Sequence, residues 1–255
     1  MRLRKFRERE GAFLVEGADL VAAGLVAGRR PQAVFVLDGS AEAAAAAADP
    51  AMADLPLLAV NERVATRIST LETPAHVMAM FPLPQAPELA RLRSARLLAV
   101  YADRIADPGN LGTLMRAAAG FGATALITSP DSVDAFSPKV VRGSMGALFA
   151  LPVYTERALG DVVDELGGPL VYGLAAHGGT DLHSAALRRP AVLCVGAERA
   201  GLSEQASRLV GEMLTIPLAS PAASAVESLN AGVAGAIALY EFARRGDPQQ
   251  GKGRP

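Results

Sequence analysis

Residues 107–123 read DPGNLGTLMRAAAGFGA, and in this run a single cation, Arg116, stands among small and apolar residues with no acid between Asp107 and Asp131. Asn110 follows a Pro-Gly turn and is placed to cap a helix, its side chain accepting a free first-turn amide. Arg116, six residues on, then has Gly112, Thr113, Ala119 and Gly120 as helical neighbours, small enough to leave its guanidinium free to reach a ligand or a second subunit. A structural arginine paired with a remote carboxylate fits the same residues, and spacing leaves both readings open. A second constellation is VLCVGAERAGLS (192–203): an apolar strand runs into Gly196, a charged pair, a glycine turn and then Ser203 as a helix cap. Glu198 falls just beyond the strand's carboxyl end and is the expected remote partner of Arg116, held in fixed geometry in a partly dry site. The third is TIPLASPAASAVESLNAGVAGAIALYEFARR (215–245), where a strand ends at Ile216-Pro217 and a small-residue loop leads to Ser228 and Asn230 at the start of a long helix. Plain capping would also account for those two polar residues. The face made by Val233, Ile237 and Tyr240, with small residues between, suits packing against a sheet or a partner helix.

These groups need elements to position them. Apolar runs at 12–17, 33–37, 56–60 and 76–81, with helical stretches between, predict a small α/β unit of about four strands over residues 1–81. Its first ten residues carry five cations and two anions, which suits a solvated helix face with i,i+4 pairs or a basic arm touching phosphate. The run AEAAAAAADP (41–50) reads as helix or loop filler, and PLPQAPELARLR marks a stiff linker within 82–95. Beyond it, strands are expected at 97–101, 124–128, 169–175, 191–195 and 213–216. Helices are expected near 110–120, 137–143, 158–166, 203–210 and 227–244. Such alternation over 96–245 predicts a mainly parallel sheet with helices on both faces, its ligands beyond the strands' carboxyl ends. Residues 246–255 are polar, rich in Pro and Gly, and predicted disordered.

Composition narrows the chemistry. Across 255 residues the formal charge is −1, so no global electrostatic signature of nucleic-acid binding exists, although a local basic site remains open. One cysteine, Cys194, precludes an intramolecular disulfide, fits a reducing, cytoplasmic setting, and lies in an apolar strand as a core thiol. His76 reads as a strand histidine, and His76, His177 and His183 lack metal-ligand spacing, so no metal site is expected. There is no dinucleotide glycine fingerprint, no P-loop, no G-x-S-x-G elbow, no secretory signal and no uninterrupted membrane span.

Taken together, the three constellations resemble the three motifs of the SpoU (TrmH) family of RNA ribose 2′-O-methyltransferases. Asn110 and Arg116 match the first motif; Gly196, Glu198 and Gly201 the second; Ile216, Pro217, Ser228, Leu229 and Asn230 the third. SPKVVRGSMGALFALPV (137–153) looks like the family's segment after the first motif, and RKFREREGAFLVEGADLV is similar to its appended substrate-binding domain. The stretch ASPAASAV makes the loop between Pro217 and Ser228 longer than is usual in the family. The resemblance implies an α/β catalytic domain with a C-terminal trefoil knot, preceded by a small α/β RNA-binding domain. It further implies a homodimer with the active site at the interface and S-adenosylmethionine in the knot, contacted by Gly196, Ile216, Leu218 and Leu229. Arg116 would be the base, or would hold the phosphate beside the target ribose and stabilise charge on its 2′ oxygen. Asn110 and Glu198 would orient it, and Ser228 and Asn230 would shape the site. Ribosomal RNA is the first expected substrate and transfer RNA the second; a catalytically silent RNA-binding or ribosome-assembly factor is the rival reading. Neither DNA, which lacks the 2′-hydroxyl, nor a membrane is an expected partner.

Overall fold

Five consecutive buried residues, Ala12 to Glu16, make β1 (Ala12–Glu16). Before it lies α1 (Arg4–Glu10), on which Arg4 and Glu8 form the i,i+4 pair at 2.6 Å. In the computed structural model, which describes residues 4–218 and 228–246, the chain divides into two units. One is Met1–Gln85 with Phe136–Ala150; the other is Ala86–Ala135 with Leu151–Pro255.

The first unit continues with α2 (Ala18–Val26), β2 (Ala33–Leu37), α3 (Ala41–Ala48), β3 (Leu57–Val60), α4 (Glu62–Ile68) and β4 (Val77–Pro82). The alanine run is a helix because Ser40 caps it, its Oγ accepting the Ala43 amide at 3.0 Å; Asn61 does the same for Val64 at α4. The sheet order is β1-β4-β2-β3, with β4 antiparallel to both neighbours and β2 parallel to β3. Two further helices of this unit, α6 (Pro138–Gly143) and α7 (Ala147–Ala150), come from much later in the chain. Aromatic contacts hold them: Phe13 meets Phe136 at 5.4 Å, and Phe81 meets Phe149 at 4.8 Å between ring centroids. Gly24 lets α2 come this close, since a Cβ there would lie 2.6 Å from the Phe81 ring.

Glu16 ends β1 with a side chain 1% exposed. Its carboxylate accepts from Ser69 Oγ (2.6 Å), the Thr70 amide (2.8 Å), Thr70 Oγ1 (2.5 Å) and Arg142 Nη1 (2.8 Å). Every lone pair of a desolvated charge is thereby engaged, which is what a buried ion pair requires.

In the second unit β5 (Leu98–Asp103), β6 (Ala125–Thr128), β7 (Val153–Tyr154), β8 (Leu170–Ala175), β9 (Thr180–Asp181), β10 (Ala191–Gly196) and β11 (Glu212–Thr215) form one sheet. Its order is β7-β6-β5-β10-β8-β11-β9 and every pairing is parallel. The central strands read as unbroken apolar runs because both faces are covered. On one face α8 (Leu159–Leu166) and α9 (Glu204–Leu209) close a core with Ala99, Tyr101, Val192 and Cys194. On the other, α5 (Pro108–Gly120) and α10 (Ala231–Gly246) run side by side. Glycines permit this: a Cβ on Gly232 would meet Thr113 at 3.0 Å, and one on Gly235 would meet Leu114 at 2.4 Å. The two-residue strands β7 and β9 were not among those expected, being too short to carry a periodic pattern. The loop ASPAASAV and the tail beyond residue 246 lie outside the described residues. No helix among the described residues is long and apolar enough to cross a membrane.

Candidate active site

Helix α5 starts one turn earlier than the Asn110 cap would place it. Asp107 is the cap, its Oδ1 accepting the Asn110 amide at 2.9 Å, and Pro108 occupies the first helical position, where no amide hydrogen is needed. This corrects the expected role of Asn110 and explains its real one, because its side chain is released from capping. The Asn110 Nδ2 donates to the Glu198 carboxylate, and its Oδ1 accepts from Asn230 Nδ2 at 2.7 Å. One amide thus ties the start of α5 to the turn after β10 and to the residue opening α10. Asn230 also caps α10, its Oδ1 accepting the Val233 amide at 3.2 Å.

Glu198 therefore bonds to Asn110 and not, as expected, to Arg116. Six residues place Arg116 about 240° around the helix from Asn110, so it leaves from the exposed side while Asn110 faces inward. Among the described residues Arg116 has neither hydrogen bond nor ion pair.

The turn carrying Glu198 is closed tightly. Ala197 and Gly201 exchange two main-chain hydrogen bonds of 3.1 and 2.8 Å, leaving Glu198, Arg199 and Ala200 at the tip. Gly201 has φ of +64°, and a Cβ on Gly196 would sit 2.3 Å from the Gly201 carbonyl carbon. Asp103, buried at the end of β5, accepts the Ser203 amide through Oδ2 at 2.5 Å, and Ser203 caps α9 as expected by taking the Ala206 amide at 3.1 Å.

Beyond the carboxyl ends of β8, β10 and β11 lies a cavity of about 790 Å³. Leu174, Val195, Leu202 and Met213 give it apolar walls. Gly196, Ile216, Leu218 and Leu229, the four expected cofactor contacts, all line it, as do Ser228 and Glu198. Asn110, Asn230 and Arg116 do not belong to its lining. Sequence reasoning missed three contributors: Asp103, Arg199 and His177, the last two being exposed lining residues. Asp103 could have been found, as the one charge closing an otherwise apolar strand; the other two carry no local signal. Cys194 is fully buried in β10, and burial pushes its thiol well above the usual range, so it is a core residue. His76 precedes β4, with Nδ1 2.9 Å from Glu42 Oε2. No group of three or more metal-ligating side chains occurs among the described residues.

Residues 97–240 match the SpoU rRNA Methylase family, and residues 1–79 match the MRM3-like substrate binding domain. The chain belongs to the SpoU rRNA methylase family. This SpoU chain is 32% identical over 259 residues to the 23S rRNA (uridine(2479)-2'-O)-methyltransferase of Streptomyces viridochromogenes, covering 95% of this chain and 86% of that one. It is 30% identical to rRNA methyltransferase 3A, mitochondrial, of Danio rerio, covering 96% of this chain and 66% of the fish protein. The SpoU methyltransferase AviRb of Streptomyces viridochromogenes, solved with the cofactor AdoMet, superposes with a TM-score of 0.81 at 28% identity, covering 99% of this chain and 95% of that one.

Proposed function

We propose that this protein transfers a methyl group from S-adenosylmethionine to a ribose 2′-hydroxyl of RNA, with ribosomal RNA as substrate. One observation carries the reading: the Asn110–Glu198–Asn230 hydrogen-bonded set is tied directly, through Glu198, to the cavity at the strands' carboxyl ends. Cavity size, apolar walls and a turn too tight for any Cβ at Gly196 fit a nucleoside-containing cofactor. Gly196, Ile216, Leu218 and Leu229 would hold it, largely through main-chain groups. When bound, the cofactor supplies an electrophilic methyl group.

The protein's own residues position the acceptor. A guanidinium is a poor base and a good oxyanion ligand, and this is the role given to Arg116. It binds the phosphate beside the target ribose and stabilises charge developing on the 2′ oxygen as its proton passes to solvent water. Asn110, clamped at both ends of its amide, holds the first turn of α5 and so fixes the helix that carries Arg116. Ser228 shapes the cavity wall.

The proposal includes a homodimer. On α10, Val233, Ile237 and Tyr240 are 44%, 36% and 50% exposed, an apolar stripe on the helix packed beside α5. A second copy covering this stripe would bring a neighbouring site towards the free Arg116. It also includes a trefoil knot, supported by α10 returning to α5 and β10 after β11, and a cytoplasmic location, with which a chain of one cysteine is compatible. The first unit would bind RNA by shape, with Lys5 and Arg9 of α1 contacting phosphate.

The test is incubation with labelled S-adenosylmethionine and separate ribosomal and transfer RNA pools, followed by mapping of the methylated ribose. Label in ribosomal RNA is expected. Label in transfer RNA alone would redirect the substrate, and cofactor binding without transfer to any RNA would favour the silent RNA-binding factor.

A further inference from the structure

We infer that Arg199 is a substrate-binding residue, holding a backbone phosphate of the RNA strand at the mouth of the cavity. The inference deepens the proposed methyl-transfer reading and rests on it. Sequence places Glu198 and Arg199 side by side as an apparent charge pair, but the fold separates their tasks. Glu198 is taken by the Asn110 amide. Arg199 lines the cavity, is exposed, and has neither hydrogen bond nor ion pair among the described residues.

The tip on which it sits is fixed rather than loose. The paired Ala197–Gly201 main-chain hydrogen bonds hold its base, and the Asp103–Ser203 bond holds its exit. A cation on a rigid support loses less freedom on binding than one on a mobile loop. Of the charged or titratable side chains lining the cavity, Glu198 is engaged, and Arg199 and His177 are the others. Among the described lining residues the only carboxylate, Glu198, has its lone pair turned to the Asn110 amide, and Arg199 is the only guanidinium. Two oxyanions could arrive, the cofactor's carboxylate and an RNA phosphate. Exposure favours the phosphate, because Arg199 stands on the solvent side, where a polymer enters. The planar guanidinium fork also matches phosphate oxygens in a bidentate way that an ammonium cannot reproduce.

The experiment uses the full chain, with Arg199→Ala and Arg199→Lys, and in-vitro-transcribed large-subunit ribosomal RNA as probe. RNA affinity is measured across a salt series and S-adenosylmethionine affinity by calorimetry. The expected result for Arg199→Ala is roughly ten-fold weaker RNA binding and a log–log salt slope shallower by about one unit. Cofactor affinity should be unchanged, and Arg199→Lys should restore the slope but only part of the affinity. A loss confined to the cofactor would assign Arg199 to the cofactor carboxylate, and no change in either would make it a solvated surface charge; both overturn the inference. Should Arg199→Ala lower the melting midpoint, Arg199→Gln replaces it and the same two affinities decide. Wild-type protein that binds this RNA through Arg199 yet transfers no methyl group would sink the enzymatic reading alone. Wild-type transfer with an unaltered Arg199→Ala salt slope would sink the phosphate contact alone.

Discussion

Arg142 in the first unit and Arg116 in the second begin in the same predicament. Each is an arginine in a helix without acidic residues: no acid lies between Asp134 and Glu156 around the one, nor between Asp107 and Asp131 around the other. Arg142 finds Glu16 across 126 positions of sequence and shares Thr70 with it, Nη1 lying 2.7 Å from Thr70 Oγ1. Arg116 finds no partner among the described residues, and the carboxylate expected for it is bound to Asn110. The first unit consumes its buried charges internally, whereas the second leaves Arg116 exposed on α5 and Arg199 exposed at the cavity for something that comes from outside. A desolvated carboxylate such as Glu16 must be paired within the fold, while an exposed guanidinium can wait in water at little cost.

This contrast can be broken or sharpened by substitution. The largest effect should come from Arg116→Ala: methyl transfer should fall about 10²–10³-fold, the scale of a lost oxyanion donor, with S-adenosylmethionine affinity unchanged. Substantial remaining transfer would place Arg116 among ordinary surface charges. Next, Glu16→Ala should lower the unfolding free energy by about 3 kcal/mol by leaving Arg142 without its counter-charge. A denaturant midpoint near wild type would show that the first unit does not depend on its internal pair. Gly196→Ala should cost about 2 kcal/mol by overpacking against the Gly201 main chain and should weaken cofactor binding, a readout that Glu16→Ala leaves alone.

The smallest effect belongs to the exposed Glu42–His76 pair. A hydrogen bond from His76 holds the Glu42 carboxyl below its usual range. Any stabilisation is present above the ordinary glutamate pKa and disappears as pH falls through the lowered one. Glu42→Gln should leave the neutral-pH melting midpoint where it is, and a clear drop would mean that surface pairing matters more in this unit than burial.

Much of this fold was legible because its central strands are covered on both faces and so read as apolar runs bounded by turn residues. Ser203 announced its helix for a similarly local reason, as a side chain that accepts an amide three residues on; Ser40, which caps the alanine run in the same way, was not read from the sequence. Local reasoning failed where two local solutions compete. Asp107 and Asn110 can both cap α5, and Pro108 decides for Asp107 by preferring the first helical position. It also failed for α6 and α7: Phe136 just before α6 and Phe149 in α7 are ordinary apolar residues by pattern, and nothing in their neighbourhood says that they pack with Phe13 and Phe81 of the first unit.

By itself the sequence determined the types of the longer elements, the parallel second sheet and the small-residue turns at its carboxyl ends, since these follow from hydrophobic period and backbone stereochemistry within a few residues. Only the tertiary structure decided which carboxylate each arginine meets. Glu198 with Asn110, Glu16 with Arg142, and Arg116 and Arg199 with neither are outcomes of how distant strands end beside one another. Helical phase and sheet order set those meetings, and residue spacing along the chain does not encode them.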